Sequence, residues 1–196
     1  RGTGAQRRLL ERLGIWDDSI LERIGRGQSP VEHLAPALDA ARFIAAHIND
    51  CDDAAIEILA RTGTCVAYCP RASAYFGAER TLGPHRYRDL NRAGVTVALG
   101  TDSIVNLPAA SADAHRGGIS VLDEMRLLHG RDGADPVVLL RMATINGARA
   151  LGLPEAAFAF EVGSELAGLV AVEVDGADDP VRSVLRSRRA PHLPFG

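Results

Sequence analysis

Apolar residues fall along this chain in short runs and in helically spaced sets, usually closed by a glycine. Residues 5–13 set Leu9, Leu10 and Leu13 on one face ahead of Gly14, the pattern of a short amphipathic helix. Ile15–Asp18 reads as a turn, and a second short helix around 19–24 closes at Gly25. Ser29-Pro30-Val31-Glu32 is a strong helix start: Ser29 caps, Pro30 takes the first helical position and Glu32 completes a capping box. That helix runs to about Leu38. RFIAAH (42–47) then reads as an apolar strand ending in His47. A helix at 53–62 follows, with capping groups in Asn49–Asp53 and Gly63 as its close. TCVAYC (64–69) is the next strand, followed by Pro70-Arg71 and a polar-aromatic loop at 72–77. A helix at about 84–93 leads into GVTVALGTDS (94–103). There Val95, Val97 and Leu99 alternate with small residues, and the strand ends in Gly-Thr-Asp-Ser.

Strand, helix, strand, helix, strand with short connections predicts parallel strands joined by right-handed crossovers. Beyond Ser103 a loop spans 104–118, long enough to be a functional one. Helices are expected at 119–129, 135–142 and 145–151, the last capped by Thr144 and closed by Gly152. The tail changes character. Residues 159–174 hold two apolar runs split by Gly163 and Gly168, and 181–189 is β-like. This reads as the edge of a small β domain.

A net charge of −3 on 196 residues, 46% of them hydrophobic, is that of an ordinary globular chain. It disfavours a nucleic-acid partner or an anionic membrane surface, and no apolar run approaches the ~20 residues that span a bilayer. The three cysteines, Cys51, Cys65 and Cys69, are an odd and sparse set that points to a reducing compartment, the cytoplasm, rather than a disulfide framework. Cys65 and Cys69 read as buried free thiols, because no second Cys/His pair stands at zinc-site spacing. The opening Arg-Gly-Thr-Gly lacks both Met and an apolar leader, so residue 1 is not expected to be a natural start and no secretory signal is read here.

Three strands would present His47, then Cys69-Pro70-Arg71, then Asp102 at equivalent ends, where barrels and open α/β sheets place their chemistry. His and Asp are both ligands for a borderline divalent metal and a workable pair for activating water. A core histidine and a helix-capping aspartate are the plainer readings of the same residues. Two ligands do not complete a zinc site, which needs at least three from protein. No other histidine falls at a strand end: His33 lies mid-helix, His85 begins a helix, His115 is in the long loop, and His129 and His192 lie near a helix end and the terminus.

The stretches PVEHL…RFIAAHIND, AIEILARTGTCVAYCPRASAYFG, AGVTVALGTDS, ISVLDEMRLL and MATINGARALGL, over roughly residues 29–153, together resemble the amidohydrolase superfamily. The similarity is to its metal-dependent deaminases and chlorohydrolases acting on N-heterocycles. YCPRASAYFG and the GTG…LLERLGIW opening are most similar to a bacterial, deaminase-like subgroup. The resemblance implies an α/β fold: the C-terminal part, about strands 6–8 with their helices, of a (β/α)8 TIM barrel, with part of a small β-sandwich. Residues 1–157 would be the barrel part and 158–196 the sandwich part. It also implies that His47 ends the sixth barrel strand and Asp102 the eighth, as catalytic residues and ligands of one divalent metal, zinc or alternatively iron. Arg71, Ser73, Tyr75, His85, Ser103 and Asn106 would contact substrate. The family often has Ser-Asn or Ser-His after Pro-Arg where this chain has Ala72-Ser73, and Ala-Asp-Leu where it has Ala167-Gly168-Leu169.

The family's His-x-His, fifth-strand His and catalytic Glu are not in this sequence. Its expected partners are therefore the N-terminal part of the same enzyme that carries them, a small-molecule substrate and, as is common in the family, a second copy in a homodimer. The implied activity is hydrolytic deamination of an amino-substituted purine, pyrimidine or nucleoside. Displacement of chloride from a triazine-type ring on the same site is one alternative, and a non-catalytic fragment or scaffold module is another. Three strands cannot close a barrel, so this chain alone is expected to be inactive.

Overall fold

The computed structural model describes residues 2, 4–23, 26–106, 119–163, 165, 168–176 and 179–194. The predicted residues 24, 25, 115 and 167, and most of the 104–118 loop, lie outside them. Two short helices, α1 (Ala5–Arg12) and α2 (Ser19–Arg23), precede α3 (Pro30–Ala40). The predicted box is present in α3: the Ser29 hydroxyl accepts from the Glu32 N–H, and the Glu32 carboxylate accepts from the Ser29 N–H. Then come β1 (Ile44–Ala46), α4 (Asp53–Thr62), β2 (Cys65–Tyr68), α5 (Pro70–Tyr75), α6 (Ala78–Leu82), α7 (Tyr87–Arg92) and β3 (Val97–Leu99). After a single 3-10 turn at Ile104–Asn106 follow α8 (Val121–Asp132), α9 (Pro136–Ala143), α10 (Ile145–Leu151), another 3-10 turn at Glu155–Phe158 and α11 (Pro180–Arg186).

The three strands form one parallel sheet in the order β1-β2-β3, as the alternation predicts. The register pairs Ala45 with Val66 and Val66 with Val97, and Tyr68 with Leu99. These residues therefore share one face. That face and the buried sides of the helices make the core: Val66, Tyr68 and Val97 join Leu59 of α4, Leu90 of α7, Leu128 of α8 and Leu139 of α9. Each such fully buried aliphatic side chain contributes on the order of 1.5–3 kcal/mol. The opposite face carries Ile44 and Ala46, which are exposed, and Cys65 and Ala67, which are partly so. The sheet thus has one packed face and one that is largely open. Both outer edges lack a strand partner among the described residues, although Asn146 of α10 donates its side-chain amide to the Val97 carbonyl at 2.8 Å.

Four local readings change. Residues 72–77 are not a loop: Pro70 starts α5, which runs through Tyr75. The helix expected from residue 84 starts at Tyr87 and leaves His85 in the preceding loop. Thr144 does not cap α10; its hydroxyl turns back to the Leu140 carbonyl at 2.7 Å. Residues 181–189 are not β-like, because Asp179 caps α11 through the Arg182 N–H and Pro180 fits its first turn. In the tail, the described residues carry one antiparallel bridge, Ala171 with His192. Arg126 of α8 ties the tail back by donating to the Arg189 carbonyl at 2.8 Å. All three cysteines are free thiols, and no described helix is long and apolar enough to cross a membrane.

Candidate active site

His47 and Asp102 leave the C-terminal ends of the two outer strands, on either side of β2. Their side chains nevertheless approach to 4.0 Å, His47 Nε2 to Asp102 Oδ2. The backbone does this. His47, Ile48 and Asp102 take φ of +66°, +52° and +57°, the left-handed region. The Ile48 N–H donates to the Ala46 carbonyl at 2.9 Å, closing a three-residue turn around His47 in the positive-φ form of a γ-turn, the rarer and more strained one. Left-handed backbone costs an L-residue roughly 1–2 kcal/mol, least for Asn and Asp and most for a β-branched side chain such as Ile48. Ile48 is held by packing against the core. His47 is held by its N–H, which donates to the Ala67 carbonyl at 2.8 Å, and by its own carbonyl, which accepts from His85 Nε2 at 2.6 Å.

Asn106, buried to 4% exposure, donates its amide to Asp102 Oδ2 at 2.8 Å, and its N–H donates to the Ser103 carbonyl at 3.0 Å. This fixes the carboxylate through Oδ2. Cys69, the residue just after β2, is a neighbour of Asp102. Burial, with the nearby Asp102 and Glu124 carboxylates, pushes its thiol up to about 11, so it stays protonated.

The remaining predicted contacts divide. Ser103 is partly exposed, and Tyr75 is 53% exposed and meets Phe76 edge to face at 5.1 Å. Ser73 is buried, and its hydroxyl donates to Asn49 Oδ1 at 2.8 Å, linking the loop after β1 to α5. Arg71 turns away to Glu124 of α8. The Arg71 N–H donates to Glu124 Oε2 at 2.9 Å and Arg71 Nε to Oε1 at 2.5 Å. Glu124 thereby takes the place of the acidic residue that the first turn of α5 lacks. Burial pushes the Glu124 carboxyl above its ordinary range, and the Arg71 bonds pull against that shift. His85 is 7% exposed and stacks on Tyr68 at 3.7 Å with the planes 11° apart. Tyr68 points to the helix-packed face, so the His85 ring lies behind the sheet. Burial takes its pKa down to about 4, and the ring is neutral.

Glu124, Tyr68 and Asn49 are the supporting residues that sequence reasoning missed. A signal existed for Glu124 alone: it is a charge on the stripe of α8 that also buries Met125 and Leu128.

Two ligands on one zinc, each ~2.1 Å away, stand about 3.4 Å apart in a tetrahedron. The 4.0 Å between His47 Nε2 and Asp102 Oδ2 is close enough for a small side-chain rotation to bring both onto one ion. The donor types, imidazole and carboxylate, also suit zinc. The pair therefore fits as half of a metal site. The described residues hold no group of three or more His, Cys, Asp or Glu that could complete it.

The 5-methylthioadenosine/S-adenosylhomocysteine deaminase of Thermococcus onnurineus is 39% identical over 143 residues, covering 68% of this chain and 30% of the relative. The enzyme of the same name from Pelotomaculum thermopropionicum is 34% identical over 142 residues, with the same two coverages. The chain thus spans about a third of the length of these relatives. Among solved structures, a zinc-bound adenosine deaminase from Xanthomonas campestris superposes with a TM-score of 0.56 at 24% identity, over 84% of this chain and 38% of that one. The sequence profile of the amidohydrolase family matches residues 16–189, nearly the whole chain, and the chain belongs to that family.

Proposed function

We propose that this chain is the C-terminal portion of a metal-dependent aminohydrolase that removes an amino group from an N-heterocycle of the adenosine type. The observation that carries the reading is the approach of His47 and Asp102 through two left-handed turns, in a chain whose relatives are named as deaminases of adenosine derivatives. The open sheet face and unpaired outer edges support three consecutive strands of a (β/α)8 barrel, completed by the N-terminal part of the same protein. Residues 1–157 would belong to that barrel and 158–196, with the bridge at Ala171, to a small β-sandwich. Three free thiols suit a cytoplasmic enzyme.

His47 and Asp102 would hold one divalent ion, zinc by the donor set, together with ligands from the N-terminal part. When bound, such an ion lowers the pKa of water toward ~7. His47 Nε2, as a ligand of that ion, would fix it beside Asp102 and so set where the attacking oxygen stands. Asp102, oriented by Asn106, takes the water's proton as the oxygen adds to the ring carbon that bears the amino group. The amino nitrogen then takes that proton from Asp102, the C–N bond breaks and ammonia leaves, the ring nitrogen having received its own proton from an acid that the described residues do not supply. Ser103 and Tyr75, both at least partly exposed, would meet the substrate.

The test uses the full-length protein, with metal content measured and a panel of adenosine, 5-methylthioadenosine, guanine, cytosine and a chlorotriazine assayed. One equivalent of divalent metal and ammonia release from the adenosine-type members are expected. Chloride release alone would move the reaction to dehalogenation. No metal and no turnover would leave a non-catalytic module.

A further inference from the structure

Nothing in the reading above requires the ring of His85. It sits in the helix layer, stacked on Tyr68 on the helix-packed face of the sheet. Tyr68 is itself pinned: its hydroxyl accepts from Arg131 Nη2 at 3.2 Å and donates to Glu79 at 3.4 Å, and Arg131 bridges back to Glu79 at 2.7 Å. The His85 ring thus rests on a side chain fixed by both α6 and α8. The ring also meets Tyr87 at a tilt, 6.3 Å between centroids, and makes the 2.6 Å bond from Nε2 to the His47 carbonyl. A carbonyl only accepts, so the ring proton is on Nε2 and Nδ1 is a bare acceptor. Nδ1 is buried and has no partner among the described residues. An unsatisfied buried nitrogen is unfavourable, so the ring's orientation is set by what Nε2 does. Nε2 holds the one peptide group that lies between the two consecutive left-handed residues His47 and Ile48.

We propose that His85 is a positioning residue: its Nε2–H, held in place by the stack on Tyr68, locks the strained turn that aims His47 at Asp102. The proposal rests on the reading of His47 as a metal ligand. With the donor removed, the 47–48 peptide is free to rotate toward an unstrained backbone, and the His47 side chain swings off Asp102. His85 thereby acts through the ligand and touches no substrate.

His85→Phe keeps a flat ring on Tyr68 and removes the donor. His85→Gln keeps an amide that can reach the same carbonyl. Each is made in the full-length protein and followed by cobalt titration of the metal-free form, by the visible spectrum of the cobalt-loaded form, by kcat and KM, and by thermal unfolding. The Phe variant is expected to bind cobalt about 10–100-fold more weakly, with an altered spectrum and a loss in kcat rather than a rise in KM. The Gln variant is expected to stay within a few-fold of wild type. Wild-type cobalt affinity and kcat in the Phe variant overturn the proposal, and so does a raised KM with metal binding intact. Should the Phe variant not fold, a tenfold or greater loss of cobalt affinity in the Gln variant overturns it. A wild-type protein that binds no cobalt overturns the functional reading as well, and that is read before any variant is made.

Discussion

The two ends of the sheet use the same unusual backbone conformation with different residues. At the N-terminal ends of β2 and β3, the preceding helices close on Gly63 and Gly94, with φ of +64° and +83°. Each makes the paired bonds of a left-handed helix stop: Gly94 N–H to the Asn91 carbonyl and Val95 N–H to the Leu90 carbonyl, with the equivalent pair from Gly63 and Thr64. Glycine takes this conformation without steric penalty. At the C-terminal ends, the same region is occupied by His47, Ile48 and Asp102. Glycine there would relieve the backbone but supply no imidazole and no carboxylate. The strained end is where side-chain chemistry is needed, in keeping with strain being stored at functional sites.

If that contrast is functional, a side chain that fits the conformation but lacks the chemistry should separate activity from stability. Asp102→Asn in the full-length protein is the largest expected effect. Asn tolerates the left-handed region as well as Asp does, and its carbonyl can still accept from Asn106. Turnover should fall by about 10²–10⁴, the usual range for losing a general base, with the unfolding midpoint unchanged. Near-normal turnover would sink the role given to Asp102 and reduce the contrast to a matter of turns.

The glycine end should behave oppositely. A Cβ added at Gly63 or Gly94 meets nothing within 4 Å, so the whole penalty is the backbone's. Gly94→Ala should lower stability by about 1–2 kcal/mol in urea unfolding and leave kcat per folded molecule unchanged. A loss of kcat as large as that of an active-site variant would mean that the two ends are not independent.

What the sequence made legible follows the same division. The glycine stops, the Ser29 capping box and the alternation around Val97 are local signals, and they placed three strands, their crossovers and the positions of His47 and Asp102. Asp179-Pro180 and Cys69-Pro70 were also local signals, of helix starts. The apolar run at 181–189 and the polar-aromatic composition of 72–77 point the other way, and the helix starts win. The left-handed turns at His47 and Ile48 have no local signature, since neither residue is chosen for that conformation. The partners of Arg71 and His85 were out of reach too. Glu124 is 53 residues from Arg71, and the His47 carbonyl is 38 residues from His85. Substrate contact is what the family resemblance implies for these two, from the motifs in which they stand. Which way each side chain turned was decided by long-range packing.

Gly100 offers the finest cut between the ends, because it lies six residues after Gly94 on the far side of β3 and is needed for a different reason. Its φ is not in the left-handed region, but a Cβ there would stand 3.0 Å from Cys69 Sγ. Its N–H is fixed in the ladder, donating to the Tyr68 carbonyl at 2.9 Å, so the strand cannot simply back away. The thiol must give instead, and it lies beside the Asp102 backbone. Gly100→Ala should therefore cost about 1 kcal/mol of stability, at the low end of overpacking penalties, and lower kcat a few-fold by displacing the carboxylate. Cys69→Ala removes the obstructing sulfur, so the Gly100→Ala/Cys69→Ala double variant should recover most of both losses. A double-mutant cycle measures that coupling directly. No neighbour within 4 Å exists to rescue Gly94→Ala in this way. Additive effects at Gly100 and Cys69 would show that crowding at this end does not reach Asp102, leaving backbone strain alone to distinguish the two ends of the sheet.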